Sequence, residues 1–342
     1  MARKTNRLFI TTEEELAQIN PANIELRDDF LDYLETTDHS KTSIVTYKNN
    51  IDIFFIYILK HCKNKDFVDV KKKDIMSWQG YMVKNGLSSA RIRTIKSTIS
   101  SMSKYIENIL EDEEPKWKGY RNLIPKIPNP TLSNVREKTV LSDDELEFLL
   151  DELVKRNKVQ IATFVAFSAF SGARKAETIQ YKREWFVNER CKNGLYITPE
   201  IRTKGHGSQG KLLEKYCIKS KVDKYLELID KFREDNNITS EYLFVTKRKG
   251  EWVQAKVSTV DSWMETCTKI LGKPNYAHMY RHFFVSYLNR ENLPIDVIKD
   301  IVGHNDSSTT MIYNDNPKEN GFMKYFSEDG IKQVETKSLS DL

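Results

Sequence analysis

The sequence predicts a mainly α-helical chain with one small β-sheet, an α+β class arranged as two domains. Three observations predict it. Ile92, Ile95, Ile99, Met102, Ile106 and Ile109 recur at alternating spacings of three and four, which makes the single apolar stripe of an amphipathic helix. Residues 161–170 are apolar nearly all round, as expected of a helix buried at the centre of a second core. Between the two lie Pro125, Pro128 and Pro130 followed by polar residues, a composition that excludes helix and stiffens a connection.

Taken in order, residues 1–23 read as a polar N-terminal leader without the apolar core of a signal peptide. Residues 24–122 read as a helical domain. One helix runs through Ile44, Tyr47, Ile51, Phe54, Phe55 and Ile58, a second runs from Ile75 to Val83 and stops at Asn85-Gly86, and the striped helix follows. The other side of that helix carries Arg91, Arg93, Thr94, Lys96, Ser97, Ser100 and Lys104, with no acid before Glu107. A solvated face accounts for such a run, and so does phosphate contact, since short hydroxyls allow close approach while the cations neutralise a backbone.

Residues 123–139 form the expected linker, and residues 140–320 the second domain. Its first helix is announced by Leu141-Ser142-Asp143-Asp144-Glu145-Leu146, a capping box from Ser142 to Glu145 flanked by apolar staple partners, and extends to about Lys155. The apolar segment after it ends at Ser171-Gly172. Weak alternation across 195–219 and at Glu241 to Val245 predicts the small sheet, with helices following to the end. Residues 321–342 form a tail in which Phe322, Met323, Tyr325 and Phe326 make an apolar cluster. Docking in the same chain or in a neighbouring subunit would bury it.

Composition narrows the class without deciding it. The chain has 342 residues, 39% of them hydrophobic and 30% charged, and no apolar run nears the roughly 20 residues that span a bilayer, so a cytoplasmic protein without membrane association is expected. Cys62, Cys191, Cys217 and Cys267 are widely separated with no C-x-x-C pair, which points to reduced thiols. The net charge of +5 is the difference between 54 basic and 49 acidic residues, which admits a polyanionic partner without requiring one.

The chemistry concentrates in the last third. His278, Arg281, His282, His304 and Tyr313 combine imidazoles, a guanidinium and a phenol, and no carboxylate cluster accompanies them. A phenol can attack a phosphodiester, a guanidinium can hold two of its oxygens, and imidazoles move protons near neutral pH. His278 and Arg281 share a helical face at i, i+3. Earlier in the chain Arg174 and Glu177 have the same spacing, either as an exposed ion pair or with Glu177 orienting Arg174 from behind. Two rivals are weaker. Gly205-His206-Gly207-Ser208-Gln209-Gly210-Lys211-Leu212 has the spacing of a phosphate-cradling loop but ends in leucine where magnesium needs a hydroxyl. His278 and His282 have helical metal spacing but no adjacent glutamate and no obvious third ligand.

Ser171-Gly172-Ala173-Arg174-Lys175-Ala176-Glu177, Lys204 in a Gly-rich hairpin, His278-x-x-Arg281-His282 and Gly303-His304 with Thr310 and Tyr313 occur in one order. That pattern resembles the tyrosine recombinases, the integrase family of phages and mobile elements, over roughly residues 24–325. The resemblance implies a helical core-binding domain and a catalytic domain that clamp duplex DNA, and an integrase or transposase activity through a 3′-phosphotyrosine intermediate with no cofactor, metal or ATP. It implies Tyr313 as nucleophile, Arg174 and Arg281 on the nonbridging oxygens, and Lys204 as proton donor to the leaving 5′-oxygen, with Lys211 the competing lysine. His278 would accept the tyrosine proton and His304 would bond the phosphoryl group, while Glu177 and His282 stand behind. Arg91, Arg93, Lys96 and Lys104 become the expected DNA contacts. A homo-tetramer at paired recombination sites is implied, with an accessory directionality factor as a possible partner. A dimer resolvase of the Xer type, or a DNA-binding protein that has lost cleavage, is the alternative. Ala173 departs from the larger aliphatic common in the family, and Asn292 from its glycine, though asparagine also accepts a left-handed cap.

Overall fold

A computed structural model of the chain describes residues 12–131, 141–205, 207, 209–303, 326–327 and 330–331. These form two compact units, one drawn mostly from residues before 138, with the tip of a later hairpin, and the other mostly from residues after it. The class is as expected: helices dominate, and the strands are short. No helix among the described residues is long and apolar enough to cross a membrane.

The first unit begins earlier than the expected leader allows. Thr12 caps a short helix, α1 (Glu13–Ala17), in a capping box with Glu15, and Ile19 is buried before α2 (Pro21–Thr36) starts at a proline in its first turn. Leu16 and Ile19 among polar residues are too few to give a period, so the sequence pattern missed it. Next come α3 (Lys41–His61), α4 (Lys72–Lys84) with Asn85 and Gly86 ending it, and α5 (Ser89–Tyr105). Phe30, Phe54, Phe55, Trp78, Ile95 and Ile99 meet in the core they share.

The stripe of α5 behaves as expected from Ile92 to Ile106, and then shifts by one. Residues Ile106–Leu110 form a π-helical turn, leading into α6 (Glu111–Glu113), and the extra residue brings Leu110 inward at 5% exposure while Ile109 stays 36% exposed. The expected linker also begins later than its prolines suggest. Ile124 and Ile127 are buried in the same core, so the chain packs through Pro125 before it leaves.

The second unit is built around α8 (Val159–Ser171), which is buried along almost its whole length and packs against α7 (Asp143–Lys155), α10 (Lys219–Asp235) and α12 (His278–Arg290). The capping box at Ser142 and Glu145 is present. A three-stranded antiparallel sheet runs β1 (Cys191–Lys192), β2 (Leu195–Ile197), β5 (Tyr216–Ile218), with Tyr196 opposite Cys217. Between β2 and β5 projects a hairpin, β3 (Ile201–Thr203) with β4 (Lys211–Leu213). Because residues 205–210 join two antiparallel strands, they do not form the strand-to-helix turn of a nucleotide-binding loop.

The strand expected at Glu241 to Val245 starts only at Val245. Leu243 and Phe244 are both fully buried, which breaks alternation, and the strands are instead β6 (Val245–Arg248) and β7 (Glu251–Gln254) in a hairpin. A short helix α9 (Lys175–Thr178), α11 (Val257–Leu271) and α13 (Ile295–Val302) complete the unit, and β8 (Phe326–Ser327) pairs with β9 (Gly330–Ile331) further on.

Candidate active site

Arg174 is delivered by the end of α8. Gly172 takes a left-handed conformation, φ 62°, and a Cβ there would lie 2.5 Å from Phe284 Cδ1, so no other residue fits the turn without displacement. The chain then caps α9 with Arg174. Its backbone N–H donates to Glu177 Oε2 at 3.0 Å and its guanidinium NH1 to Oε1 at 2.9 Å. Glu177 is 2% exposed, whereas the Arg174 side chain is 31% exposed. Of the two readings of this spacing, the oriented arginine describes the geometry and the solvated pair does not.

A residue that sequence reasoning did not select completes the group. Lys215 Nζ lies 3.1 Å from Glu177 Oε2, and its side chain is only 1% exposed. Main-chain bonds fix it there: Thr198 N–H donates to the Lys215 carbonyl at 3.0 Å and Lys215 N–H donates to Thr198 Oγ1 at 2.9 Å. Lys215 also has the parity of buried Cys217, two residues on in β5, and that parity was the available signal. Burial alone would raise the Glu177 pKa, but the Lys215 charge and the Arg174 N–H and guanidinium outweigh it and hold the carboxyl below its ordinary range. Burial lowers the Lys215 pKa, helped by Arg281 and Arg174 and opposed by Glu177. We read the pair as carboxylate and ammonium, because a carboxylate that accepts from Arg174 at two points is held in its charged form, and that charge is in contact with the amine.

Arg281 enters from α12 and is fully buried. Its NH1 donates to the Gly172 carbonyl at 2.8 Å and its NH2 to the Val302 carbonyl at 2.7 Å, which joins the ends of α8 and α13. His278, one turn earlier, opens to solvent. The protein crowded around its ring, and then the Arg281 and Arg174 charges, lower its pKa below the ordinary imidazole value, with Glu177 opposing. His282 contacts the His278 ring edge to face, centroids 4.8 Å apart. Gly303 ends α13 at φ 68°, and a Cβ there would meet Leu213 Cδ1 at 2.8 Å and come within 3.8 Å of Lys215 Nζ.

Arg174, Glu177, His278, His282 and Arg281 are thus brought together, with Lys215 among them. Lys204 and Lys211 stand exposed on the β3–β4 hairpin, outside that hydrogen-bonded group. His304, Tyr313, Phe322, Met323 and Tyr325 lie outside the described residues, and nothing of the Phe326 side chain is described.

The expected DNA contacts on α5 divide. Lys96 is 3% exposed and donates to Gln79 Oε1 at 2.7 Å and to the Ile127 carbonyl at 2.9 Å. Its place on a polar helix face suggested solvent, but the segment carrying Ile127 and Pro128 folds over that face, so Lys96 is a structural tie and not a phosphate contact. Arg93 donates from Nε and NH2 to the Pro130 carbonyl, at 3.3 and 2.8 Å, and is also engaged within its own unit. Arg91 is half-buried and Lys104 is exposed.

Residues 139–320 match the phage integrase family. The chain is 27% identical over 304 residues to the SPbeta prophage-derived recombinase-like protein YomM of Bacillus subtilis, covering 88% of this chain and 89% of that protein. It is 25% identical over 297 residues to a tyrosine recombinase of Thermosipho africanus, covering 85% and 93%. In fold it is similar to a crystal structure of a lambda integrase fragment, residues 75–356, a dimer bound to a COC′ core site. The TM-score is 0.63 at 15% identity, covering 92% of this chain and 99% of that one.

Proposed function

The chain belongs to the phage integrase family, and from that premise we propose how its residues divide the work of a tyrosine site-specific recombinase, an enzyme that cuts and rejoins DNA strands. The observation that carries the reading is the convergence of Arg174, Glu177, His278 and Arg281 from α9 and α12 inside the segment that matches the family.

Tyr313 attacks the scissile phosphorus through its phenolic oxygen. Its proton passes to His278, whose lowered pKa keeps the ring neutral and able to accept. Arg174 and Arg281 stabilise the charge that builds on the nonbridging oxygens, as preorganised donors at fixed positions. The bond to the 5′-oxygen breaks, and Lys204, exposed on its hairpin, gives that oxygen a proton. His304 bonds the phosphoryl group. A 3′-phosphotyrosine and a 5′-hydroxyl result, and the reverse attack by another 5′-hydroxyl reseals the strand with no net bond energy lost.

In this reading residues 24–122 form a core-binding domain and residues 140–320 the catalytic domain, the two closing on duplex DNA, with Arg91 and Lys104 as the remaining α5 candidates for phosphate contact. Four copies act on two paired sites in the cytoplasm, an accessory directionality factor biases the outcome, and the tail after residue 320 docks onto its own chain or a neighbouring copy. The prophage-derived relative supports a role on a mobile element.

The test uses a nicked duplex carrying the sequence that the full chain selects from a random pool. Wild-type protein should trap itself covalently on it, and Tyr313→Phe should bind with similar affinity while forming no adduct. An adduct that persists in Tyr313→Phe overturns the assignment.

A further inference from the structure

Glu177 presents a difficulty for the site it supports. It holds Arg174 at two points, but a carboxylate placed against a guanidinium also cancels the charge that a phosphate would meet. Arg174, Glu177 and Arg281 together carry one net positive charge, whereas the phosphoryl group at the transition state gathers negative charge on its equatorial oxygens.

Lys215 is placed to resolve this. It is 1% exposed, its Nζ lies 3.1 Å from the Glu177 oxygen that also accepts from the Arg174 N–H, and its position beside Gly303 puts it at the turn that leads to His304. Among the described residues its ammonium meets only the Glu177 carboxylate, as an ion pair and not as a hydrogen bond of good geometry. A lysine buried this way is costly, and a structural role alone would be served better by an apolar residue of similar length.

We propose that Lys215 is a positioning residue of the cleavage site: its ammonium offsets the Glu177 carboxylate, so that Arg174 is held rigidly without losing its charge to the group that holds it. The proposal rests on the recombinase reading and adds to it a cation that touches no substrate. The direction of the Glu177 pKa, lowered in spite of burial, agrees with a carboxylate under the field of two cations.

The test compares wild type, Lys215→Met, Glu177→Gln and the double variant on the selected nicked duplex, reading DNA affinity and the single-turnover rate of adduct formation at saturating DNA separately. Lys215→Met should bind as wild type does and form adduct about tenfold or more slowly, the scale of losing one preorganised charge. Adding Glu177→Gln should restore at least about tenfold of that rate, since the charge to be offset is gone, a coupling of the size seen between contacting groups. A wild-type rate in Lys215→Met overturns the proposal, and so does a double variant as slow as Lys215→Met. If Lys215→Met fails to fold, the decision falls to the double variant against Glu177→Gln alone. Rates within about threefold support the role, and a tenfold further loss overturns it. A wild-type chain that forms no adduct at all overturns the recombinase reading itself, a result distinct from these.

Discussion

His278 shows how much of a residue's chemistry is set by its neighbours. With protein crowded around its ring, and the Arg281 and Arg174 charges beside it, its folded pKa lies below the ordinary value of 6.5, so the neutral ring persists to lower pH than in a free histidine. The acid limb of single-turnover adduct formation, read as a pH–rate profile, should therefore fall below pH 6.5, and a limb at or above that value contradicts the proton-acceptor role. Arg174, Glu177, His278 and Arg281 were legible because their types and short spacings carry the chemistry within single helices. Lys215 was not, because its importance arises only when β5 places it against a helix cap some forty residues earlier in the chain. Lys96 misled for the same reason in reverse: its helix face is polar, but a later segment covers it.

At the scale of elements, the turn between α8 and α9 couples folding to the site most directly. Gly172 supplies both the left-handed turn that aims Arg174 and the carbonyl that Arg281 grips. Gly172→Ala should destabilise the protein by roughly 2–4 kcal/mol, combining left-handed strain with overpacking against Phe284, and should slow adduct formation as Arg281 shifts. Denaturant melts check the first part, and an unchanged midpoint contradicts it. The Ser171-Gly172 stop and the Ser142 capping box were readable because such signals are local. The π-turn at Ile106–Leu110 was not, since nothing in the spacing of isoleucines marks the one added residue that turns Leu110 inward.

At the scale of the whole molecule, the two cores were legible as two different apolar patterns, a stripe and an all-round segment, separated by prolines. Their limits were less legible. Ile19, Ile124 and Ile127 pack into the first core from stretches whose composition is that of leader and linker, because one well-placed isoleucine suffices to bury a segment without giving it a period. In the proposed mechanism strand cleavage turns on one atom, the phenolic oxygen of Tyr313. The most direct measurement digests the covalent complex formed on the selected nicked duplex and identifies the nucleotide-bearing peptide by mass spectrometry. The account predicts one attachment point, Tyr313, joined to a 3′-phosphate; attachment through any other residue, or to a 5′-phosphate, contradicts it.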